Sequence, residues 1–597
     1  MRRAWSWLCA TGLLAAALGT ATQAQSTSEV ADAAMRNDLA AVRQLVVAGA
    51  DVNRPQGDGA TALHWAAYRG NHELAAALLA AGANPTVANR EGATPMWLAA
   101  VGGDAAILAA LIEAGADADE ALPLGRTPLM VAARTGNVDA MRALIEHGAD
   151  VDARETLRGT TPMMWAADEG HEAAIQLLID HGADVSARSD PAPRGRGPAL
   201  GKANDPRDAV ARQVAALAAR EASPDLGTLR ALETGRGRGA GAGRGGRGGG
   251  AGRGTAGEAD DQDDAAVAAG IFANRRERPA DGGALTPLMY AARADDLASV
   301  QTLLAAGVDV NQQSGYGWSA LLVATQNRYY RLAAFLLEQG ADPDLPNHGG
   351  WTPLYLATDN RNIENGDYPV RQPDMDHLAF IRLLLDAGAN VNARATDSTE
   401  TRTVFTNQWL DENGATALLR ASQSGDLELM RLLLGHGADP HIATELGVTA
   451  LQVAAGIGWV EGVTYEWSPE ATFEAVKLLL ELGLDPNAQA DTGRVALHGA
   501  AHKGRTDVIQ ILVDHGARLD IRDYGNTDNR GGELAGQTWL PVDYADGLVR
   551  VGVQSAIAHA ETGLLIRTLM AQQGLEAPPM GRTLESICIT EACSGLP

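Results

Sequence analysis

One string of nine residues recurs along this chain at a fixed interval, and that interval constrains the fold more than any other feature. Gly-Ala-Thr-Ala-Leu-His-Trp-Ala-Ala at 59–67 is followed by Gly-Ala-Thr-Pro-Met-Trp-Leu-Ala-Ala at 92–100 and Gly-Arg-Thr-Pro-Leu-Met-Val-Ala-Ala at 125–133, with 33 residues between successive threonines. A second marker, Gly-Ala-Asp-Val-Asn or a variant of it, follows each string. A constant period of this length predicts a stack of small units.

Each unit has the pattern of two short helices. Thr-Pro supplies an N-cap oxygen and a proline at the first helical position, where the missing N–H costs nothing. The second helix carries apolar residues at helical spacing, as in Met141, Leu144 and Ile145, and the glycine after it suits the left-handed turn that ends a helix. Helices of about ten residues are marginal in water on their own. Each unit must therefore stack on its neighbours.

The strings closely resemble the Thr-Pro-Leu-His-x-Ala-Ala signature of the ankyrin-repeat family, which has the same period. The resemblance implies an all-α repeat solenoid of stacked ankyrin helix-turn-helix units with β-hairpin-like loops, whose concave face is made by the first helices and the loop tips. The later equivalents of Thr61 are Thr94, Thr127, Thr161, Thr286, Ser319, Thr352, Thr416, Thr449 and Val495. The glycine marker gives eleven repeats, the first without Thr-Pro.

Breaks in the period predict the organisation of the chain. The predicted segments are a signal peptide over 1–25, repeats 1–5 over 26–189, a low-complexity Arg/Gly-rich insertion over 190–282, repeats 6–11 over 283–535, a degenerate capping repeat over 536–574, and a tail over 575–597. Smaller insertions lie near 360–376, 394–412 and 458–470. Insertions in repeats map to loops, so we expect Trp459, Tyr465 and Trp467 in the last of them to be exposed.

The 190–282 insertion separates the two blocks of repeats and is predicted to be partly helical around 208–232. The run Gly235–Gly254 consists of Gly, Arg and Ala alone. It has no large apolar surface to offset the entropy of ordering, so we expect flexible coil. The run resembles Arg-Gly-Gly segments, which leaves three roles open: a flexible linker, contact with an anionic polymer, or contact with nucleic acid.

The N-terminus has the pattern of a cleavable secretory signal. Arg2 and Arg3 precede an apolar stretch, and Thr22-Gln23-Ala24 is a small-residue cleavage site. We therefore expect a periplasmic or secreted protein cleaved near Ala24. No later segment has the roughly 20 apolar residues of a membrane helix. In that compartment Cys588 and Cys593, the two cysteines of the mature chain, are expected to form a disulfide.

Charge and motif content argue against several classes of function. The formal net charge of −26 disfavours a general nucleic-acid binder and favours a basic protein partner. His72-Glu73 and His171-Glu172 lack the second histidine of a zinc-protease motif. Four histidines before a marker glycine, His147, His181, His436 and His515, are better explained as bonds to helix-end carbonyls than as metal ligands. We predict no catalytic site, metal or cofactor.

The ankyrin resemblance implies that the residue before the Thr and the two after Ala-Ala face a partner. The residues that it nominates are Trp318, Trp351, Tyr68, Arg69, Arg134, Arg293, Gln326, His502 and Lys503. Trp318 and Trp351 lie one period apart near Tyr316 and His348, and this aromatic group is the predicted anchor because Trp and Tyr are enriched at binding hot spots. The alternative is that the two tryptophans pack on each other or beneath the insertion at 394–412. Trp65, Trp97 and Trp165, inside first helices, are assigned to packing between repeats.

The leading hypothesis is a non-enzymatic scaffold in the cell envelope or outside the cell that binds a protein partner through the concave face and loop tips. One alternative is binding of an envelope or other anionic polymer through the Arg/Gly-rich segment. The other is a structural spacer without a dedicated ligand. The sequence does not identify the partner.

Overall fold

The computed structural model describes residues 28–122, 124–192, 282–362, 372–396, 413–459, 464–525, 538–549 and 557–582. Within them the chain forms 24 helices, in twelve successive pairs, and two strands of two residues each. None of these helices combines the length and apolarity needed to cross a bilayer. The predicted signal segment, the Gly235–Gly254 run and the predicted disulfide of Cys588 and Cys593 lie outside the described residues.

Each helix pair is one repeat. The pairs are α1 (Glu29–Met35) and α2 (Leu39–Val47), α3 (Ala62–Arg69) and α4 (His72–Ala80), α5 (Pro95–Gly102) and α6 (Ala105–Glu113), α7 (Pro128–Thr135) and α8 (Val138–Glu146), α9 (Pro162–Glu169) and α10 (Glu172–Asp180), α11 (Pro287–Ala294) and α12 (Leu297–Ala305), α13 (Ala320–Gln326) and α14 (Tyr330–Glu338), α15 (Pro353–Arg361) and α16 (His377–Asp386), α17 (Ala417–Gln423) and α18 (Leu427–Gly435), α19 (Ala450–Ala455) and α20 (Pro469–Glu481), α21 (Ala496–His502) and α22 (Thr506–Asp514), and α23 (Pro541–Ala545) and α24 (Ala560–Gln572). The last pair lies in the region where a capping repeat was expected.

The first helices begin at the threonines of the repeated string. Thr94 Oγ1 accepts a hydrogen bond from the backbone N–H of Trp97 at 3.1 Å, and Thr352 Oγ1 accepts one from Tyr355 at 3.3 Å. At Val495, where the hydroxyl is lost, Nδ1 of His498 accepts the N–H of Val495 itself at 3.0 Å. A side chain three residues on thus satisfies one of the unpaired N–H groups of this helix start.

Four of the second helices end at the predicted histidines. Nδ1 of His147 donates to the carbonyl of Ala143 at 2.7 Å, and His181, His436 and His515 make the same bond to the carbonyl four residues before them. This confirms the prediction that these histidines bond helix-end carbonyls. Within the described residues, no group of three or more His, Cys, Asp or Glu side chains is placed to hold a metal ion.

The chain divides into two units. One comprises residues 1–132 with 137–150 and the other 133–136 with 151–597, so α7 begins in the first unit and ends in the second. In the first unit α1 packs on α3 and α3 on α5. In the second unit the first helices pack in succession from α9 to α23. The alanines of these helices, such as Ala66 and Ala500, are fully buried, which lets neighbouring helices approach closely.

The large insertion does not separate the repeats on either side of it in space. α9 packs directly on α11, and α10 on α12. β1 (Pro191–Ala192) and β2 (Gly282–Gly283), at the two ends of the insertion, pair antiparallel with Pro191 opposite Gly283 and Ala192 opposite Gly282. The insertion therefore interrupts the repeats in sequence only, because the pairing of β1 with β2 brings its two ends together next to the same repeat boundary.

Candidate protein-binding surface

One position of the repeat forms an exposed apolar row in the first unit. It lies seven residues after the helix-capping residue, and Met35, Tyr68 and Val101 occupy it on α1, α3 and α5. All three side chains are exposed. Trp65 and Leu98, half-buried one turn earlier, lie on the same side of α3 and α5. Because the three helices pack side by side, these five residues form one surface, here named the N-terminal face.

The aromatic part of the N-terminal face is held in place by the repeat. The Tyr68 ring meets the Trp65 ring edge-on, with 5.9 Å between ring centres. Trp65 Nε1 donates to Gln56 Oε1 at 2.7 Å, and Arg69 Nη2 donates to the carbonyl of Met35 at 2.9 Å. Tyr68 nevertheless remains 64% exposed. A large aromatic side chain that is ordered before binding loses little entropy when a partner covers it.

An acidic cavity lies among the loops of the same unit. It has a volume of about 560 Å³ and is lined by Thr86, Ala88, Gly92, Thr94, Asp117, Glu120, Ala121 and Leu122. Burial raises the pKa of Glu120, and the hydrogen bond from the Thr94 hydroxyl opposes that rise. Asp117 and Glu120 are the two carboxyl groups in its lining, and carboxyl groups favour a positively charged neighbour.

Family comparison agrees with the repeat pattern. A model described as ankyrin repeats (3 copies) matches residues 30–121, 102–189, 288–395 and 468–530, and one described as ankyrin repeats (many copies) matches 418–465. The chain belongs to the ankyrin-repeat family. Ankyrin repeats generally mediate protein–protein interaction. No curated protein matches the chain.

The ankyrin positions nominated around the two tryptophans require correction. Trp318, Trp351 and Tyr316 are almost completely buried. The Trp351 ring packs edge-on against Tyr355 at 4.8 Å, and the backbone N–H of Trp318 donates to Ser314 Oγ at 3.0 Å within its own loop. Side chains enclosed in this way cannot anchor a partner. Whether the two tryptophans pack on each other or beneath the insertion at 394–412 stays a prediction, since residues 397–412 lie outside the described part of the chain. His348, whose ring lies 5.5 Å from that of Tyr316, remains exposed.

Arg293 and His502 are also buried, contrary to prediction, and the side chain of Lys503 is only 5% exposed. Arg293 donates to Asp168 at 2.5 Å across the junction of repeats 5 and 6, and its guanidinium lies over the Tyr290 ring. His502 and Lys503 lie near the Trp459 ring. Burial lowers the pKa of His502 to about 4 and that of Lys503 to about 7. These residues are engaged within the ankyrin array.

The remaining nominated residues are accessible in part or in full. Tyr68 is exposed on the N-terminal face, and Arg69 is exposed beside it. Arg134 is half-exposed, 3.4 Å from Glu169 and over the Trp165 ring, and Gln326 is half-buried. Of the nominated set, Tyr68 and Arg69 alone lie at the exposed apolar row.

Sequence reasoning missed Met35, Val101 and Leu98 as surface residues. The signal was available, because Met35 and Val101 share the register of Tyr68 at intervals of 33 residues. Hot-spot enrichment points to aromatic and charged side chains, so it gives no reason to nominate these aliphatic residues. Trp65, which the sequence assigns to packing between repeats, is half-buried with its ring against exposed Tyr68.

Proposed function

We propose that this protein is a non-enzymatic scaffold that binds a protein partner through the N-terminal face. The observation that carries the proposal is the row of Met35, Tyr68 and Val101, three exposed apolar side chains on three adjacent helices. Contiguous exposed apolar surface of this kind marks interaction sites in soluble proteins. A partner fits the site when it presents an apolar patch with a basic side chain that can reach Asp117 and Glu120.

The scaffold is proposed to act in the periplasm or outside the cell. Support for that location comes from the sequence of residues 1–25, with its paired arginines, short apolar stretch and small-residue cleavage site. The acidic balance of the chain is consistent with a basic partner.

Site-specific photo-crosslinking tests the proposal directly. A photo-reactive phenylalanine analogue is placed at Tyr68, or at Tyr524 as a matched control that is 63% exposed in the second unit. The full chain with its own signal is expressed in a Gram-negative host. We expect a discrete protein adduct from position 68 and none from position 524.

Affinity measurements with the captured protein are the second test of the proposal. Tyr68→Ala combined with Val101→Ser is expected to weaken binding about 30-fold, the effect of losing about 2 kcal/mol at an aromatic hot spot. Tyr524→Ala should leave the affinity unchanged. Identical adducts from both positions, or full affinity in the double variant, would contradict the assigned face. Adducts with envelope polymer alone would favour the polymer-binding alternative.

A further inference from the structure

Residues 464–468, here named the 464–468 segment, cross the ends of first helices from several repeats of the second unit. The backbone N–H of Trp467 donates to the carbonyl of Ser424 at 3.1 Å, and its indole Nε1 donates to Asn362 Oδ1 at 2.9 Å. The indole ring lies over the guanidinium of Arg361 at 4.4 Å. The Glu466 carboxylate pairs with the ammonium group of Lys503. This short stretch therefore contacts repeats 8, 9 and 11.

The surface beneath the segment is organised by the array itself. Asp426, which is buried, accepts hydrogen bonds from Arg361 at 2.7 Å and from the Asn362 amide at 3.0 Å. The successive first helices α15, α17, α19 and α21 pack on one another. Arg361 and Asn362 are thus held in position by bonds that do not involve the segment. We name this surface, made by Arg361, Asn362, Ser424, His502 and Lys503, the cradle.

Trp459 and the segment cover positions that are open in the first unit, since the Trp459 ring lies against His502 and Glu466 pairs with Lys503. His502 occupies in repeat 11 the position that Tyr68 occupies in repeat 2, and Lys503 corresponds to Arg69. Tyr68 is 64% exposed whereas His502 is 3% exposed. The cradle is therefore a stretch of first-helix surface that the chain has covered with its own insertion.

We propose that the cradle is a peptide-binding site for a partner segment in which a carboxylate residue directly precedes an aromatic one, and that the 464–468 segment is its internal occupant. The carboxylate of such a ligand binds Lys503. Its aromatic ring stacks on Arg361, a cation–π contact that favours Trp, and the indole N–H donates to Asn362. This site is separate from the N-terminal face, so either proposal can fail without the other.

The cradle also has binding capacity that the segment leaves unused. Neither ring nitrogen of His502 has a hydrogen-bond partner among the described residues, although the side chain is buried. Buried polar atoms of native proteins are nearly always paired. A ligand that extends past the Glu-Trp pair can supply the missing partner, which gives an external peptide a contact that the internal occupant lacks.

The manner in which the segment is held makes it displaceable. It contacts the cradle through one backbone hydrogen bond and through the side chains of Glu466 and Trp467, and Trp467 remains 42% exposed. The segment belongs to an insertion in the repeat and not to a helix of the stack. A tethered occupant competes at an effective concentration of the order of millimolar, so a free peptide gains access when the tethered side chains are weakened.

The test measures binding of a fluorescein-labelled peptide, Thr-Tyr-Glu-Trp-Ser, to the full-length mature chain by fluorescence anisotropy. The Glu466→Gln, Trp467→Ala double variant is expected to bind the peptide at least about tenfold more tightly than the wild type, because the internal competitor is lost. A control peptide with Gln and Ala in place of Glu and Trp should bind neither protein. Adding Lys503→Met to the double variant should abolish the gain.

Equal peptide affinity in the wild type and the double variant, or a gain that survives Lys503→Met, would overturn the proposal. Circular dichroism establishes that the variants are folded. A second measurement needs no variant: hydrogen exchange at the Trp467 amide of the wild-type protein should accelerate when unlabelled peptide is added at millimolar concentration. Unchanged exchange would show that the segment is not displaced and would also overturn the proposal.

Discussion

At the scale of single residues, the C-terminal repeats hold two histidines in their neutral form by burial. Burial lowers the pKa of both His498 and His502 to about 4. His498 bonds the N–H of Val495 and the carbonyl of Trp539, whereas His502 faces the charges of Arg494 and His559. A folded-state pKa below the ordinary value of 6.5 means that the unfolded chain binds protons first as the pH falls. Stability is therefore full above about pH 6.5 and is lost progressively down to about pH 4.

The substitution His502→Gln should reduce this acid sensitivity. A histidine with a pKa of 6.5 in the unfolded chain and about 4 in the folded protein lowers the free energy of unfolding by on the order of 2 kcal/mol between pH 7 and pH 5. Glutamine does not titrate in this range, so it removes this loss while keeping a polar side chain. Urea unfolding of both proteins at pH 7 and pH 5 measures the loss of unfolding free energy over this interval. The variant should lose less stability than the wild type over this interval, and an equal loss in both proteins would disprove the role of His502.

Residue-level exposure was the part of the site that the sequence predicted least well. Trp318 and Trp351 precede a helix cap, a position whose exposure depends on how the next loop folds over it, and no local pattern encodes that packing. The same holds for His502 and Lys503, which are covered by an insertion from the preceding repeat. Tyr68 was placed correctly on the surface because a short regular loop leaves the end of α3 open.

At the scale of elements, the pairing of β1 with β2 maintains the stack across the large insertion. Repeats 5 and 6 are joined by the α9–α11 contact and by the pair of Arg293 and Asp168. Ser189 and Leu285, beside the two strands, exchange hydrogen bonds in both directions at 2.9 Å. The junction therefore has the contacts of an ordinary repeat boundary.

Replacing residues 193–281 by Asn-Gly should leave the array folded. Ala192 lies opposite Gly282 in the antiparallel pair, which is the separation that a two-residue hairpin turn spans. A shorter loop also loses less entropy on closure. We expect a melting temperature equal to or above that of the full chain, measured by circular dichroism. A clear decrease would mean that the insertion contributes to the stability of the repeats.

The sequence predicted the elements themselves well where a periodic cap was present. Thr-Pro located the starts of α5 and α15, and the histidines before the marker glycines located the ends of second helices. The two strands gave no signal, because pairs of residues containing Pro and Gly carry no alternating pattern. Their pairing depends on the stacking of repeats distant in sequence.

At the scale of the whole molecule, the two units present different chemistry at the same repeat position. In the first unit the row is apolar and exposed, with Met35, Tyr68 and Val101. In the second unit several polar residues occupy it, and three of them, Arg293, Asp359 and His502, are buried within the array. The second unit thus uses for internal contacts the position that the first unit offers to solvent.

Export of the chain should produce a mature N-terminus immediately after Ala24. The predicted cleavage site follows Thr22-Gln23-Ala24, and the first helix begins at Glu29, which leaves a few residues of spacing for the peptidase. N-terminal sequencing of the protein from a periplasmic or culture fraction identifies its first residue. An unprocessed N-terminus together with recovery from the cytoplasm would contradict export and the proposed location of the scaffold.

Because Ala192 and Gly282 lie side by side, the chain leaves the array and returns to it through a gap of about 5 Å. Any domain whose own termini are that close could be grafted between these residues without moving a helix of the stack. The same gap would suit a fluorescent protein or an epitope tag as a reporter. The insert can therefore be exchanged while the repeats on both sides keep their contacts.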